Sequence, residues 1–367
     1  MNEEMVAFTR VAMLAVCCTS TLFAAVLSLT GTALGVTIEN VTARQRYPWN
    51  GLVDVSYTVV GSTNGIDYAY GHLEAVDQNT GKTYAAKTFV KPLDMTEGAH
   101  TAIWDMAADH AVVSESMSFR VSVRTPPLYR VIDVSEGAVA NVYPVLELDE
   151  APAGGWSDEY KTDRIVLRRI DGTNGVYYAG VFEITEAQWA RVMGGTSANM
   201  TPKDNISHNT IRGDAGTYDW PTSDAVAADS FMGRLRLKTG LATLDLPSEE
   251  EWEYAARAGV TTTWLCGDSE TGLGDYAWYS ANSGDTKHPV GELWANAWGL
   301  YDVHGNVWEL CLNRYRYDSG NDIRVLRGGS YRYDASRCAF SYRSINSPPS
   351  IDCWLHGFRL FCRPRSN

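Results

Sequence analysis

The stretch that decides the fold reads Gly299-Leu300-Tyr301-Asp302-Val303-His304-Gly305-Asn306-Val307-Trp308-Glu309. A second segment, Arg324-Val325-Leu326-Arg327-Gly328-Gly329-Ser330-Tyr331, follows it, and Gly357-Phe358-Arg359 comes near the end of the chain. All three lie in a region of about 100 residues that is rich in glycine and aromatic residues and shows little hydrophobic periodicity. This composition predicts irregular structure that is held by buried aromatic side chains and by a further constraint such as a metal ion.

The region that precedes these segments shows regular patterning. Apolar runs at residues 165–170 and 177–184 predict two strands. Three helices follow, the first from Thr185, the second over Ser223–Thr239 and the third from Ser248. The first and third helices each carry Gln or Glu three residues after the capping residue, which is the signature of a capping box. The second half of the chain is therefore predicted as a mixed α+β domain.

The first part of the chain is predicted to be all-β over residues 36–125. Val36–Val41 and Val53–Val59 largely alternate apolar and polar residues, and turn signals such as Asn79-Thr80-Gly81 separate further short runs. Six short strands at this spacing are typical of a small antiparallel sandwich of immunoglobulin-like or fibronectin-like shape. Residues 126–162 are predicted as a linker and lead-in, and residues 163–367 as the second domain.

Residues 1–35 are predicted to be a secretory signal peptide. Val11–Leu29 is largely apolar, and the small residues Ala33 and Gly35 follow it. The alternative is an N-terminal membrane anchor, because the run is long enough to span a bilayer. Cleavage would place the protein outside the cell, in the periplasm or in the cell envelope, with no membrane attachment. The five remaining cysteines would then meet an oxidising compartment, and an odd number leaves at least one thiol unpaired within the chain.

Bulk composition limits the classes of partner. Hydrophobic residues make up 45% of the 367 residues, which supports a packed core. The formal net charge is -13. Nucleic acid and anionic membrane surfaces are therefore excluded as expected partners, because both would repel an acidic protein.

The ordered segments resemble the formylglycine-generating enzyme family, also called the sulfatase-modifying factors. Gly180–Trp189, Leu246–Gly259 and His288–Gly291 match family motifs in the family's order, and so do the three segments quoted above. The resemblance begins near residue 163 and covers most of the second half of the chain. It implies a C-type-lectin-like α+β fold with much irregular loop.

A calcium site is one expectation that the resemblance carries. Asp302, Gly305, Val307 and Glu309 offer two carboxylates and two backbone carbonyls within one short segment, and calcium prefers such oxygen ligands. The residues alone favour a different interpretation, in which the aspartate caps a turn and the glutamate forms a buried ion pair. The resemblance implies calcium at these four positions. It also implies a second calcium site, which begins at Asn282 and Ser283 and whose remaining ligands lie in a loop that is shorter here.

The family's oxidase activity depends, by resemblance, on copper and two active-site cysteines. The second of these cysteines aligns with Cys338, whereas Tyr333 stands at the position of the first. A phenol does not replace a thiolate as a ligand for Cu(I). The resemblance also places Trp308, Ser330 and Arg343 at the pocket. Another cysteine, Cys353 or Cys362, remains a candidate to restore a sulfur pair with Cys338.

Two functions are compatible with these residues. The first is an exported, calcium-stabilised module without oxidase activity, whose aromatic surface binds a protein segment or a glycan, because aromatics bury large area at low entropic cost. The second is a copper-dependent oxidase that converts a sulfatase cysteine to formylglycine, with Cys338 as its catalytic residue.

Overall fold

The computed structural model divides the chain into two compact units, which we call the first unit (up to Pro126) and the second unit (from Pro127). The predicted signal peptide lies outside the described residues. The residues that the structure describes are 37–46, 50–61, 70–86, 88–91, 93–95, 97–111, 116–124, 126–172, 175–218, 220–316 and 322–363. Among these residues, no helix combines the length and apolar character that a membrane crossing requires.

The first unit is a sandwich of two antiparallel sheets, which confirms the predicted all-β domain. One sheet has the order β1-β2-β6-β5 and the other the order β4-β3-β7. Alternation decides which face is buried: Val53, Val55 and Tyr57 point into the core, where they join Leu73 from the opposite sheet. The strands are β1 Thr37–Gln45, β2 Leu52–Val60, β3 Tyr70–Asp77, β4 Thr83–Ala85, β5 Phe89–Lys91, β6 Gly98–Asp105 and β7 Met117–Arg124.

The second unit is built on a six-stranded sheet of order β12-β19-β11-β10-β8-β9. A four-stranded sheet of order β17-β16-β15-β18 and a two-stranded sheet of β13 and β14 complete it. The strands of this unit are β8 Tyr129–Asp133, β9 Val145–Leu148, β10 Arg164–Gly172, β11 Gly175–Gly180, β12 Leu244–Asp245, β13 Ala277–Trp278, β14 His304–Gly305, β15 Trp308–Arg316, β16 Asp322–Arg327, β17 Ser344–Ser347, β18 His356–Gly357 and β19 Phe361–Cys362.

Residues 126–162, predicted as a linker and lead-in, form structured parts of the second unit. They carry β8 and β9, and β8 pairs antiparallel with β10 across five residue pairs. The physical reason lies in Tyr129, Val131 and Ile132, which are all buried in this strand. The preceding proline pair marks the division between the units, and the strand begins directly after it.

The two predicted capping boxes are both present. Thr185 accepts a hydrogen bond from the Gln188 amide, and Ser248 accepts one from the Glu251 amide, while the Gln and Glu side chains bond back to the capping residues. The second predicted helix begins at Phe231 rather than at Ser223, because Ser230 caps it and the residues before it form turns. The helices are α1 Glu159–Thr162, α2 Glu186–Met193, α3 His208–Arg212, α4 Phe231–Thr239 and α5 Glu249–Arg257.

Apart from the hairpin of β15 and β16, the region after α5 consists mainly of loops, short strands and single turns of 3-10 helix, as its composition predicts. Gly305 shows why glycine is required there: its φ is +78°, and an added Cβ would collide with the carbonyl oxygen of Trp278. Together with the sheet-rich architecture around it, this irregular region confirms the predicted α+β fold class.

Candidate functional site

A buried ion pair lies at the centre of the second unit. Both carboxylate oxygens of Glu309 accept hydrogen bonds from the Arg359 guanidinium, at 2.7 and 2.6 Å. The indole nitrogen of Trp252 donates to the same carboxylate at 2.6 Å. The remaining guanidinium hydrogens bind the backbone carbonyls of Gly180 and Tyr301. The glutamate predicted as a calcium ligand therefore has a buried cationic partner, as the ion-pair interpretation requires.

Two more buried carboxylates lie near this pair. Glu183 accepts hydrogen bonds from the Asn306 side chain and the Val307 amide, and Asp302 accepts one from the Gly291 amide at 2.7 Å. Burial, with a smaller contribution from nearby carboxylates, raises the pKa of Glu183 well above its usual value and that of Asp302 to about 6.

Sequence reasoning missed Glu183. Its only signal was an acidic residue inside the apolar run Val181–Ile184. With Glu309 and Asp302 it makes three carboxyl groups around the single guanidinium of Arg359.

The calcium predictions stay predictions. In the described part of the chain, no group of three or more His, Cys, Asp or Glu side chains is arranged to hold a metal ion. At the second predicted site, Asn282 accepts from the Tyr279 amide and donates to the Ala277 carbonyl. The Ser283 hydroxyl donates to the Tyr331 carbonyl. The Asn282 side chain therefore stabilises a local turn, whereas Ser283 makes a long-range contact to the segment that contains Tyr331.

Cys338 is fully buried in the second unit. The φ of Gly329 is +85°, and a Cβ on this glycine would lie 2.5 Å from the cysteine sulfur, so the Gly-Gly-Ser turn packs directly against the thiol. Burial, with a smaller contribution from Asp334, raises the pKa of Cys338 to about 12. His304 donates from Nδ1 to the Cys338 carbonyl and accepts from the Leu265 amide at Nε2, which fixes the neutral tautomer. The thiol is thus protonated at neutral pH and shielded from solvent.

The other cysteines take separate places. Cys353 lies at an isolated bridge to Ile206, and Cys362 packs against Thr243. Cys266 and Tyr279 both pack against a small buried cluster of Leu273, Ala277 and Ala335. None of the cysteines within the described residues forms a disulfide: Cys266, Cys311, Cys338, Cys353 and Cys362.

Two of the predicted pocket residues, Trp308 and Tyr333, form an aromatic cluster with Tyr342, which we define as Trp308, Tyr333 and Tyr342. The buried Trp308 ring lies 5.7 Å from Tyr333 and 5.8 Å from Tyr342, and both tyrosines are half-buried. The Tyr333 amide bonds to the carbonyl of Ser330, whose buried hydroxyl has no hydrogen-bond partner in the described structure. Trp308, Ser330 and Tyr333 are therefore brought together.

Arg343, the fourth predicted pocket residue, points elsewhere. Its guanidinium pairs with Glu249 in the first turn of α5. Arg337, which the sequence did not single out, takes the position over the cluster. Its guanidinium carbon lies 4.6 Å from the Tyr333 ring centre and 5.8 Å from that of Tyr342.

The first unit carries a separate surface groove of about 510 Å³. Ser56, Thr58 and Thr101 line it, and the hydroxyls of Ser56 and Thr101 are 3.0 Å apart. Lys91 and His100 also contribute to the lining. The groove has both polar and apolar lining groups and lies in the unit for which the sequence predicts no catalytic residue.

Comparison with known proteins gives a family match. The family model described as sulfatase-modifying factor enzyme 1-like domain matches residues 173–363. The chaperone protein LppX of Paenibacillus barcinonensis is 25% identical over 222 residues, which are 50% of this chain and 79% of that protein.

Two further relatives carry formylglycine names. The formylglycine-generating enzyme of Mycobacterium tuberculosis is 39% identical over 176 residues, 39% of this chain and 56% of the enzyme. The inactive Cα-formylglycine-generating enzyme 2 of Mus musculus is 36% identical over 129 residues, 31% of this chain and 41% of that protein. The chain thus spans about half the length of these two relatives, one of which is named as inactive.

Proposed function

The chain belongs to the family of sulfatase-modifying factor enzyme 1-like domains, and we propose that its second unit is a member without oxidase activity that binds a protein segment. One observation carries this proposal: Cys338 is buried, and Tyr333, which the resemblance aligns with the family's other cysteine, packs its ring against Trp308 in the aromatic cluster. Family membership alone does not decide activity, because similar proteins include both an enzyme and a protein named as inactive.

The state of the thiol argues against oxidase chemistry. Copper(I) binds thiolates, and a thiol with a pKa near 12 is almost wholly protonated at neutral pH. Tyr333 offers a phenol, and its ring packs against Trp308, which suits a structural aromatic better than a metal ligand. Copper held by Cys338 would supply oxygen activation, and a lone buried thiol is a poor donor set for it.

The surface of the cluster supports binding of a protein segment. Tyr333 and Tyr342 present half-buried rings beside an exposed guanidinium, and such rigid amphipathic groups are enriched at protein interfaces. The similar protein LppX is named a chaperone, a class that contacts protein segments.

We also propose calcium as a structural ion and export by residues 1–35. The surplus of buried carboxylates around Glu309 would favour a divalent cation, held by Asp302 and Glu309 with the carbonyls of Gly305 and Val307. An ion there would fix loops that lack a regular hydrogen-bond ladder.

The test of the oxidase question uses copper, oxygen and a cysteine-containing sulfatase peptide. We expect the wild-type chain to leave the peptide mass unchanged and to bind Cu(I) weakly. The Tyr333→Cys variant restores a second sulfur at the family position, and we expect it to bind Cu(I) more tightly than the wild type. Conversion of the peptide cysteine to an aldehyde by the wild-type chain would refute the proposal.

The test of binding uses a displayed peptide library and a glycan array. We expect selected peptides to bind the wild-type chain and to lose affinity for the Tyr342→Ala variant. Trp294→Ala is the matched control, because Trp294 is an exposed aromatic of the same unit outside the cluster. Binding of glycans alone would contradict the protein-segment proposal.

The oxidase remains the second candidate because of one finding, the 39% identity over 176 residues to the formylglycine-generating enzyme of Mycobacterium tuberculosis. This candidate predicts that Cys338→Ser abolishes any copper binding. Unchanged copper affinity in that variant would remove the candidate.

A further inference from the structure

The side chain of Arg337 is exposed, and its guanidinium N–H groups can donate hydrogen bonds to a ligand. It lies in the 3-10 helix Ala335–Cys338, and its guanidinium rests over the aromatic cluster. Within the described part of the chain, this guanidinium takes part in no hydrogen bond or ion pair. The nearest acid in the sequence, Asp334, accepts hydrogen bonds from the Ser336 hydroxyl and the Arg337 amide. These bonds lower the pKa of its carboxyl, and the Arg337 charge contributes to this lowering without a hydrogen bond between the two side chains.

Two neighbouring exposed arginines show the contrast. The guanidinium of Arg332 also rests over a ring, 4.2 Å from the centre of Trp354, but Asp285 holds its fork with two hydrogen bonds of 2.6 and 2.8 Å. Arg343 pairs with Glu249. Of these three arginines between positions 332 and 343, only Arg337 keeps its fork available to a ligand.

We infer that Arg337 binds a carboxylate of the segment that docks on the aromatic cluster, so that the partner of this face is an acidic peptide segment. The planar guanidinium fork matches a carboxylate in a bidentate arrangement, and the rings beneath it hold it in place. The chain as a whole carries a formal net charge of -13, which repels acidic ligands. A preference for an acidic peptide would therefore have to come from the Arg337 guanidinium itself. This inference rests on the proposed function and names the chemistry of its ligand.

The bound segment also needs an apolar group beside the acid. The Tyr333 and Tyr342 rings flank the guanidinium and are half-buried, so they offer area to an aromatic or aliphatic side chain. An acidic residue next to a tryptophan or leucine would satisfy both contacts at once.

The experiment compares three labelled peptides that differ only at two positions, with Glu-Trp-Glu, Gln-Trp-Gln or Lys-Trp-Lys at the centre. Anisotropy titrations use the full chain as wild type, Arg337→Gln, Arg337→Glu and Arg332→Gln. We expect the wild type to prefer the glutamate peptide over the glutamine peptide by about fivefold at low salt, the range of a solvent-exposed ion pair. Arg337→Gln should lose this preference, and Arg337→Glu should prefer the lysine peptide.

Arg332→Gln is the matched control, because it removes the same charge and the same kind of ring contact while Arg337 stays intact. It should keep the preference for the glutamate peptide. Circular dichroism on each variant verifies that the fold is retained.

Each other outcome has one meaning. Equal affinity of the wild type for all three peptides overturns this inference but leaves the binding proposal standing. Failure of all three peptides to bind, when library-selected peptides also fail, overturns the proposed function itself. Loss of the preference in Arg332→Gln but not in Arg337→Gln overturns the inference, because Arg332 rather than Arg337 would then bind the acid. Stronger displacement by an oligogalacturonate than by the glutamate peptide assigns the site to acidic sugars.

Discussion

The two units of this chain differ in how they satisfy the hydrogen bonds of their buried backbone groups. In the first unit, no polar or charged residue within its described ranges is buried, and the core is purely apolar. In the second unit, Glu183, Glu309, Arg212, Arg324 and Arg359 are all completely or almost completely buried. The difference follows from the backbone: strands satisfy one another's amides and carbonyls, whereas loops need side chains to do so.

The donors of the second unit show this directly. Arg359 binds the carbonyls of Gly180 and Tyr301, and Arg324 binds that of Leu312. The Asn296 side chain binds two carbonyls at the end of α5. Buried polar groups therefore act as the hydrogen-bond ladder that the irregular region lacks.

The largest expected effect comes from removing the central cation. Arg359→Met leaves the Glu309 carboxylate buried without its partner and frees two carbonyls, so we expect the second unit to lose about 4 kcal/mol of stability. Hydrogen exchange resolved by peptide measures this loss in the second unit, and peptides of the first unit serve as the internal control. An equal loss of hydrogen-exchange protection in both units would contradict the claim that this ion pair stabilises the second unit alone.

The acid-rich centre predicts a dependence on pH. The pKa of Asp302 is raised to about 6 by burial, so this group favours folding below pH 4 and loses that contribution as the pH rises through 6. In chelator, we expect the second unit to lose up to about 3 kcal/mol across this window. Added calcium should offset the loss at neutral pH if the proposed site exists. A thermal melt that is independent of pH and of calcium would refute both statements.

A core truncation tests the first unit. Val55→Ala removes two methyl groups from a fully buried position, and we expect a loss of about 2 kcal/mol from transfer and cavity terms together. Hydrogen exchange should localise the change to the first unit. Val60→Ala, an exposed position on the same strand, is the matched control and should change stability little.

The smallest effect concerns a regular element of the second unit. Ser248→Ala removes the cap of α5, for which we expect a loss of about 1 kcal/mol, whereas Ser248→Asp should keep most of the stability. Chemical denaturation measures both. A loss as large as that of Arg359→Met would mean that the cap, rather than the buried ion pair, organises this unit.

The same contrast explains how far the sequence could predict the structure. Predictions were confirmed where the stabilising interactions join residues close in sequence. The alternating burial around Val55 and the capping boxes at Thr185 and Ser248 all appear in the structure. The predicted start of α4 at Ser223 was wrong. The alanine-containing stretch before the helix has helical propensity, but Ser230 caps the helix, which therefore begins at Phe231.

Long-range contacts escaped prediction. Glu309 and Arg359 are 50 residues apart, and Glu183 is 124 residues from the Val307 amide that it accepts from. No periodicity relates such positions. The sequence did not single out Arg337 for a similar reason. It differs from Arg332 and Arg343 in lacking a carboxylate partner for its guanidinium among the described residues, and sequence alone does not show such pairings.

The place of β19 has a consequence for the order of folding. This strand lies between β11 and β12, so residues 361–362, which follow every other strand of the six-stranded sheet in the chain, fill an interior position in it. Arg359 enters the core just before it. The second unit therefore cannot complete its sheet until this segment is available, whereas the strands of the first unit are all present by residue 124. Folding during synthesis is accordingly expected to have two stages, with the first unit completed before the second.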